Sequence, residues 1–584
     1  MNSSAGFCYY HWVSLAFVAF LLFSQVWDSG WCNDESAHIP AGLYHLTTGR
    51  MDSYEVNPPL PRLIGALPLL NDAPTIEWSS NSPQRGRSEY RYADSWIGKN
   101  KPMDVRRQLR LARFATAFFF FVGAWAVHKW ALALNGVRAA RLATALWCFS
   151  PDVISHSAVV ASDAPAAATG VLVGFLYWKW LASTDCRIPW NVGLAVGLAI
   201  CCKFSWLLLL PLLPCTVLAY ELLRPSGEQY ASSNALRMRF SVRRTSRLAM
   251  ALLLSVFMVN LCYGFDGTGK RLDEFDFISA LLTEKQDFSS ASRNRFVDTW
   301  LGAIPVPLPQ EMVRGIDYLQ WEFDLGKASY LRGVWQHGGW WYFHVYALAV
   351  KMPLGFLLLM SIGTVSTLSL VVRGEGWYRC EWFPLFVAIV FIVVISSKTG
   401  FTHHVRYVLP AYGFLFVVAS RAMVALPRQL ATVVAVLSMA GTLAFHLLNP
   451  GVSHTFFNLA AGGPNNGFRH LSYSNCDWGQ STYRMAEWAA ENPEKRPLII
   501  LFRSKLGRPE RLVETLEGVT TSTAWGVDNQ HRSSDAPGGL RWCLVSSHQL
   551  TLQKNESFRA AVPVSRPWPD VFLFKMNGSS PITE

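Results

Sequence analysis

Two acids, Asp34 and Glu35, stand side by side in "GWCNDESAHIPAGLYHL", residues 30–46, just after a nearly uncharged apolar run over 13–26. Other ionisable residues sit at comparable places beside apolar stretches: Arg62 in "NPPLPR", Asp163 in "SHSAVVASDAPAAA", Lys203 in "ICCKFSW" and Lys351 at the end of "GGWWYFHVYALAVK". "SSKTGFTHHVRYVLP" adds Lys398, His403, His404 and Arg406. Cations of this kind suit a lipid phosphate, Arg by a bidentate fork and Lys as a point charge. Carboxylates suit the removal of a proton from a hydroxyl that attacks a group carried on that phosphate. As the lipid phosphate leaves, the same cations stabilise its growing charge. Adjacent helical side chains point in different directions, so Asp34 and Glu35 need not share one task. One can meet an acceptor while the other holds a loop in place.

Each residue also has a plain reading. A lone Lys at a span end usually snorkels, a lone Asp usually caps a helix or is solvated, and neighbouring loop histidines usually do nothing. The case for a site therefore rests on all of them reaching one place, which the apolar segments must arrange.

The 584 residues are 51% hydrophobic and only 16% charged, against about 25% charged in ordinary soluble domains. Long apolar stretches recur between 13 and 447, many near the roughly 20 residues a spanning helix needs. The expected fold class is an α-helical polytopic membrane protein with about eleven spans: 13–30, 108–134, 142–160, 164–182, 191–202, 205–223, 248–263, 352–372, 382–397, 407–424 and 429–447. The first is read as a retained helix, because residues 1–12 hold no Lys or Arg and no small-residue cleavage site follows. Eleven scattered cysteines, several inside spans and none in a CxxC pair, indicate neither a disulfide framework nor a zinc site. The net charge of +12 comes mostly from residues beside spans, which argues for membrane orientation and against nucleic acid.

The connection 224–247 carries six arginines against one acid and is placed in the cytoplasm. Arg138, Arg141 and Arg187 put two further connections on that side, which is satisfied only if the chain turns at Lys203 rather than passing through it. The N-terminus is then cytoplasmic. The loop 31–107, the segment 264–351 and the tail 449–584 are extracytoplasmic, and every ionisable residue named above lies at that outer face. The loop 31–107 holds nine basic and nine acidic residues, and loops beyond about 60 residues escape the charge rule. "NPPLP" breaks any span and leads into an interfacial helix; Trp340, Trp341 and Tyr342 suit the headgroup layer. Runs such as "PLIILF" and "VFLFKM" beside "STYRMAEWAAENP" predict a small α/β domain over 449–584, after a catalytic membrane domain over 1–448.

Several segments, in order, carry a resemblance: "DESAHIPAGLYHLTTGRMDSYEVNPPLPRLIGALPLL", "SPDVISHSAVVASDAPAAA", "GLAVGLAICCKFSWLLLLPLL", "GGWWYFHVYALAVKMPLGFLLL", "HHVRYVLPAYGFLF" and "FNLAAGGPNNGFRHLSYSNCDWGQ". Together they are similar to prokaryotic membrane glycosyltransferases of family 39, relatives of protein O-mannosyltransferases and aminoarabinose transferases with the GT-C fold. The resemblance implies a plasma (inner) membrane enzyme that moves a sugar from a polyprenyl-phosphate donor to a hydroxyl acceptor, with inversion. It implies that the pair Asp34 and Glu35 includes the general base and that Asp163 is the second acidic position. Arg62, Lys203, Lys351, His404 and Arg406 are the expected donor-phosphate residues. Where the family's pattern reads "HPPLAK" this chain reads "NPPLPR", so Asn57 replaces a histidine and Arg62 keeps the positive charge of a lysine. No cofactor is required; a divalent metal would be compatible with carboxylates near phosphate, but no ligand set stands out. Partners are the lipid-linked donor, a protein, lipid or glycan hydroxyl, and the bilayer.

A transporter or lipid flippase is the alternative, and would place charged groups and broken helices at mid-membrane on facing repeats. No internal repeat is found. A non-catalytic envelope scaffold would have no need of Asp34.

Overall fold

The computed structural model describes residues 17–78, 89–183, 187–223, 234–284, 293–375, 379–503, 509–522, 540–577 and 580–582. Its first half is almost entirely helical: α1 (Phe17–Asp28), α2 (Glu35–Thr48), α3 (Leu60–Ala66), α4 (Glu89–Lys99), α5 (Pro102–Thr116), α6 (Phe118–Phe149), α7 (Pro151–Ser157), α8 (Asp163–Leu181), α9 (Trp190–Cys202), α10 (Leu209–Leu223) and α11 (Asn234–Cys262). Two short antiparallel hairpins flank α12 (Gln310–Leu325): β1 (Thr283–Glu284) with β2 (Arg293–Asn294), and β3 (Ala328–Leu331) with β4 (Val334–His337). Helices α13 (Phe343–Lys351), α14 (Leu354–Val372), α15 (Phe383–Ser397), α16 (Tyr412–Ala419), α17 (Ala422–Ala425) and α18 (Arg428–Leu448) complete the bundle.

Among the described residues, six segments are long and apolar enough to cross a bilayer: 102–149, 204–221, 242–262, 354–372, 405–425 and 428–448. Helices α1, α9 and α15 are apolar but shorter. Part of the first expected span, 13–16, and residues 224–233 of the arginine-rich connection lie outside the described residues, while 234–247 form the start of α11. The expected span over 142–160 is not one helix. Gly136 takes φ +80° and kinks α6, which stops at Phe149; Ser150 Oγ then accepts the Val153 N–H as Pro151 opens α7. At Lys203 the backbone is extended, φ −158° and ψ 132°, which separates α9 from a 3₁₀ turn and α10.

Close packing follows from small residues. A Cβ on Gly193 would lie 1.9 Å from the Ala251 carbonyl oxygen, so α9 and α11 touch backbone to backbone. One end of the bundle is tied by arginines. Arg244, on α11, donates to Glu221 on α10 and to the Trp180 and Leu181 carbonyls at the end of α8. Arg421 pairs with Glu381 and bonds Asn135. The candidate site lies at the other end, where α8 begins and α9 stops.

After α18 the chain does not leave the bundle at once. Residues 450–480 pack against it in short 3₁₀ turns. Helix α19 (Thr482–Glu491) then leads into a six-stranded sheet of β5 (Leu498–Leu501), β6 (Val519–Ser522), β7 (Leu540–Ser546), β8 (Ser565–Trp568), β9 (Val571–Asn577) and β10 (Ser580–Pro581). Its order is β10-β9-β7-β5-β6, with β8 also on β9. β5 is parallel to β6 and β7, pairing Leu498 with Val519 and Trp542, while β9 is antiparallel to β7. One sheet face, with Met485 and Ala489 of α19 against Ile500 and Leu544, forms a core separate from that of the bundle.

Candidate active site

Glu35 is held by a buried guanidinium. Arg113, on α5, donates from Nε to Glu35 Oε1 at 2.7 Å and from Nη2 to Oε2 at 2.6 Å, and its remaining donors reach the Val26, Ser29 and Gly30 carbonyls. The carboxylate also accepts the Cys32 and Val160 N–H groups at 3.0 Å. Glu35 therefore joins the chain after α1, the start of α2 and the turn between α7 and α8.

That clamp leaves Asp34 on the opposite side of the same helix start. Asp34 occupies the N-cap position of α2, yet its side chain makes no cap bond. Its Oδ2 instead accepts from Arg406 Nη1 at 2.5 Å. The same nitrogen lies 3.2 Å from Asp163 Oδ2, and Lys203 Nζ lies 2.5 Å from Asp163 Oδ1. Asp163 reaches this point because it opens α8; Lys203 reaches it because the helix ends there and the backbone straightens. Arg406 is steered by aromatic faces, 4.3 Å from the Trp478 ring centroid and 5.6 Å from that of Tyr407. The side chains differ in access: Asp34 is 21% exposed and Asp163 only 3%. Of the two carboxylates, Asp34 is the one a second molecule can reach.

Burial, the largest single influence, pushes the Asp34 carboxyl up, but the charge of Arg406 and its hydrogen bond together bring the group below its usual value. His38, one turn along α2, is pulled down to about 3 by burial and then by Arg62. It is neutral and stands edge-on to Tyr54. His404 is pushed well below its usual range by burial and by the neighbouring His403 and Arg406.

These groups line one cavity of about 590 Å³. One part of its wall is charged and polar: Asp34, Asn57, Asp163, Lys203, His404 and Arg406, with His403, Lys327 and Lys398 nearby. The other is apolar: Phe204, Leu207, Ile316, Leu319, Val394 and Ile395. An amphiphile with a charged head and a hydrocarbon tail fits such a wall. Among the described residues no group of three or more His, Cys, Asp or Glu side chains is placed to hold a metal.

No family model matches the chain, and no curated protein matches it. Solved structures do resemble it. ArnT from Cupriavidus metallidurans bound to undecaprenyl phosphate is 12% identical, over 98% of this chain and 99% of that one, with a TM-score of 0.46. The apo state of that protein gives the same identity and TM-score. The Archaeoglobus fulgidus oligosaccharyltransferase tethered to an acceptor peptide with an NVT sequon is 9% identical, over 88% of this chain and 63% of that one, with a TM-score of 0.41. At these identities and scores the chemistry has to be read from the side chains of this chain itself.

Of the eight residues expected at the site, the structure brings together Asp34, Asp163, Lys203, His404 and Arg406. It keeps three apart. Glu35 is occupied by Arg113. Lys351 is buried and donates to the His454 and Asn475 carbonyls at 2.7 and 2.9 Å, with Asp152 at 3.6 Å; it braces the 454–475 region instead of facing the cavity. Arg62 donates to the Asn57 carbonyl at 2.7 Å and lies over Tyr54, so it supports the "NPPLP" turn from behind. Lys327, Tyr407 and Trp478 are additions that sequence reasoning missed. Lys327 follows an amphipathic helix in an unremarkable loop, and nothing in the local pattern marks it. Tyr407 and Trp478 lie within quoted motifs, and an aromatic beside Arg406 was the available signal.

Proposed function

We propose that this chain is a membrane glycosyltransferase that moves a sugar from a polyprenyl-phosphate donor to a hydroxyl acceptor, with inversion, using Asp34 as general base. One observation carries the reading: two carboxylates share Arg406 at the charged end of a cavity whose other wall is apolar. A lipid tail fits the apolar wall, and its phosphate competes with Asp34 and Asp163 for Arg406 and Lys203. When Arg406 turns to the phosphate, Asp34 loses the charge that keeps it weakly basic. Donor binding thus raises the basicity of Asp34 at the moment an acceptor hydroxyl has to lose its proton.

In the transfer step the acceptor oxygen bonds to the sugar's anomeric carbon and the bond from that carbon to the phosphate oxygen breaks. The hydroxyl proton passes to Asp34, and the electron pair leaves with the lipid phosphate, stabilised by Arg406 and Lys203. Asp163 stays paired with Lys203 and fixes its direction. In this reading the site faces the extracytoplasmic side of the plasma (inner) membrane, opposite the arginine-tied end, and the C-terminal sheet lies on that same side.

The test is product formation. Purified protein given a sugar-charged polyprenyl phosphate and a hydroxyl acceptor should release free polyprenyl phosphate, and the Asp34→Asn variant should not. Equal release by both proteins would refute the assignment. A transporter would move the lipid without releasing it from its sugar.

A further inference from the structure

Residues 474–480, "SNCDWGQ", touch both walls of the site. On the Arg406 wall, Asn475 Oδ1 accepts the Val405 N–H at 2.8 Å, and its Nδ2 donates to the His403 carbonyl at 2.9 Å and the Ser472 carbonyl at 2.6 Å. Ser474 Oγ is 2.7 Å from His404 Nδ1, and the Trp478 ring lies against the Arg406 guanidinium. On the Asp34 wall, the Asn33 N–H donates to the Trp478 carbonyl at 3.1 Å and the Gly30 N–H to the Gln480 carbonyl at 2.6 Å.

The segment between these contacts is internally braced. Asp477 Oδ1 accepts the Gly479 N–H at 2.9 Å and Gln480 Oε1 accepts the Trp478 N–H at 2.6 Å. Gly479 has φ +102°, and a Cβ there would sit 2.9 Å from the Trp31 carbonyl oxygen, so the turn needs glycine on both counts. Its far end is tied to the sheet, because Gln480 Nε2 and Ser481 Oγ both donate to Asp570 Oδ2. Asn475 and Trp478 are 1% and 3% exposed, too buried to meet solvent or a large acceptor.

We propose that 474–480 is a strap that sets the separation of Asp34 and Arg406, with Asn475 and Trp478 as its positioning residues and Asp570 as its anchor on the C-terminal sheet. The inference rests on the proposed glycosyl transfer for its consequence, but its geometry does not. The same seven residues bond the backbone just before Asp34, at positions 30 and 33, and just before Arg406, at positions 403 and 405. A loop that only filled space would have no reason to hold both. The strap also gives the C-terminal sheet a task, since every distortion of Asp570 is passed to the two walls together.

The test is amide hydrogen exchange on the full-length protein in lipid nanodiscs, alongside turnover. In Asn475→Ala the Val405 amide loses its acceptor directly; the strap predicts that Gly30 and Asn33, on the other wall, lose protection as well. Trp478→Leu should lower kcat per folded molecule by up to about a hundredfold, the scale of a misplacement near 1 Å, and Trp478→Phe should restore most of it by keeping a ring under Arg406. If Asn475→Ala fails to fold, the amides of Gly30 and Asn33 are read in Trp478→Leu instead. Unchanged protection at those two amides overturns the strap, as does a wild-type kcat in folded Trp478→Leu. Should wild type transfer no sugar while the two walls still exchange together, the glycosyl-transfer reading fails and the strap stands.

Discussion

A single nitrogen of Arg406, Nη1, lies 2.5 Å from Asp34 and 3.2 Å from Asp163, so one guanidinium holds together residues 372 and 243 positions away in the chain. With Asp163 buried and Asp34 only partly exposed, the two carboxylates repel each other unless that cation stays between them. An anion that competes for Arg406 would open the arrangement.

Asp34→Asn tests the base most directly. The amide oxygen still accepts from Arg406, so the fold should be kept, while the capacity to take a proton is gone. Transfer should fall by about two to four orders of magnitude, measured as sugar incorporated per folded molecule. Normal transfer in Asp34→Asn together with none in Asp163→Asn would give the role to Asp163.

The pH dependence carries a definite sign. In the free protein the charge and hydrogen bond of Arg406 together hold the Asp34 carboxyl below its usual value against the effect of burial, so the acid limb of kcat/KM should lie below about pH 4. Once donor phosphate takes Arg406, the acid limb of kcat should lie at higher pH. Burial is the largest single influence on this group, with Asp163 the other facing charge and His38 beside it as a neutral ring; Arg406→Gln should therefore move the kcat/KM limb above pH 4. The same depression stabilises the fold above the unfolded-state pKa and is lost as pH falls through the folded value. Limbs that coincide for kcat and kcat/KM would sink the idea that donor binding frees the base.

Much of this candidate site is legible in the sequence. Counting spans against arginine-rich connections sorted Asp34, Asp163, Lys203, His404 and Arg406 to one face, and forced a turn at Lys203 where the backbone is indeed extended. Depth along a span does not say which way a side chain points. Lys351 and Arg62 were therefore expected at the phosphate, although backbone carbonyls from 454, 475 and 57 occupy them. Glu35 was hidden for a related reason: its partner, Arg113, is 78 residues later within a stretch read as a span. The break of the expected 142–160 helix had its signal in Ser150 and Pro151, a cap followed by a first-turn proline.

Glu35→Gln should act on stability. It leaves the buried Arg113 charge without its counter-ion, a change that costs about 3–5 kcal/mol when a buried pair is broken. The expected result is a lower thermal transition and less folded protein, with turnover per folded molecule close to wild type. A variant that folds normally but turns over as slowly as Asp34→Asn would make Glu35 the base.

Lys203 and Lys351 should separate cleanly. Lys203 lines the cavity and pairs with Asp163, so Lys203→Gln should raise the donor KM with a smaller effect on the thermal transition. Lys351 binds two buried carbonyls and is not among the residues that line the 590 Å³ cavity, so Lys351→Met should lower the transition while leaving the donor KM of the folded fraction unchanged. Titration of both variants with donor lipid, with scanning calorimetry on the same preparations, distinguishes the two patterns.

The last prediction concerns sidedness, on which the proposed chemistry depends. Arg244 ties the ends of α8, α10 and α11 at one end of the bundle, and Asp163 and Lys203 mark the other. If the arginine-tied end is cytoplasmic, as charge bias requires, Ser246 faces the cell interior and the sheet faces out. Val562 is 71% exposed on the C-terminal domain, and Ser246 is exposed among Arg243, Arg244 and Arg247 at the polar start of the 242–262 segment, so a cysteine at either can react without unfolding. Val562→Cys should be modified by an impermeant thiol reagent in intact cells, and Ser246→Cys only after permeabilisation. Labelling of each variant is read against the wild-type chain, whose eleven cysteines set the background. Labelling of Ser246→Cys in intact cells, with Val562→Cys protected, would reverse the topology and place the cavity on the cytoplasmic side, where a lipid-linked donor would have to be used before it is flipped.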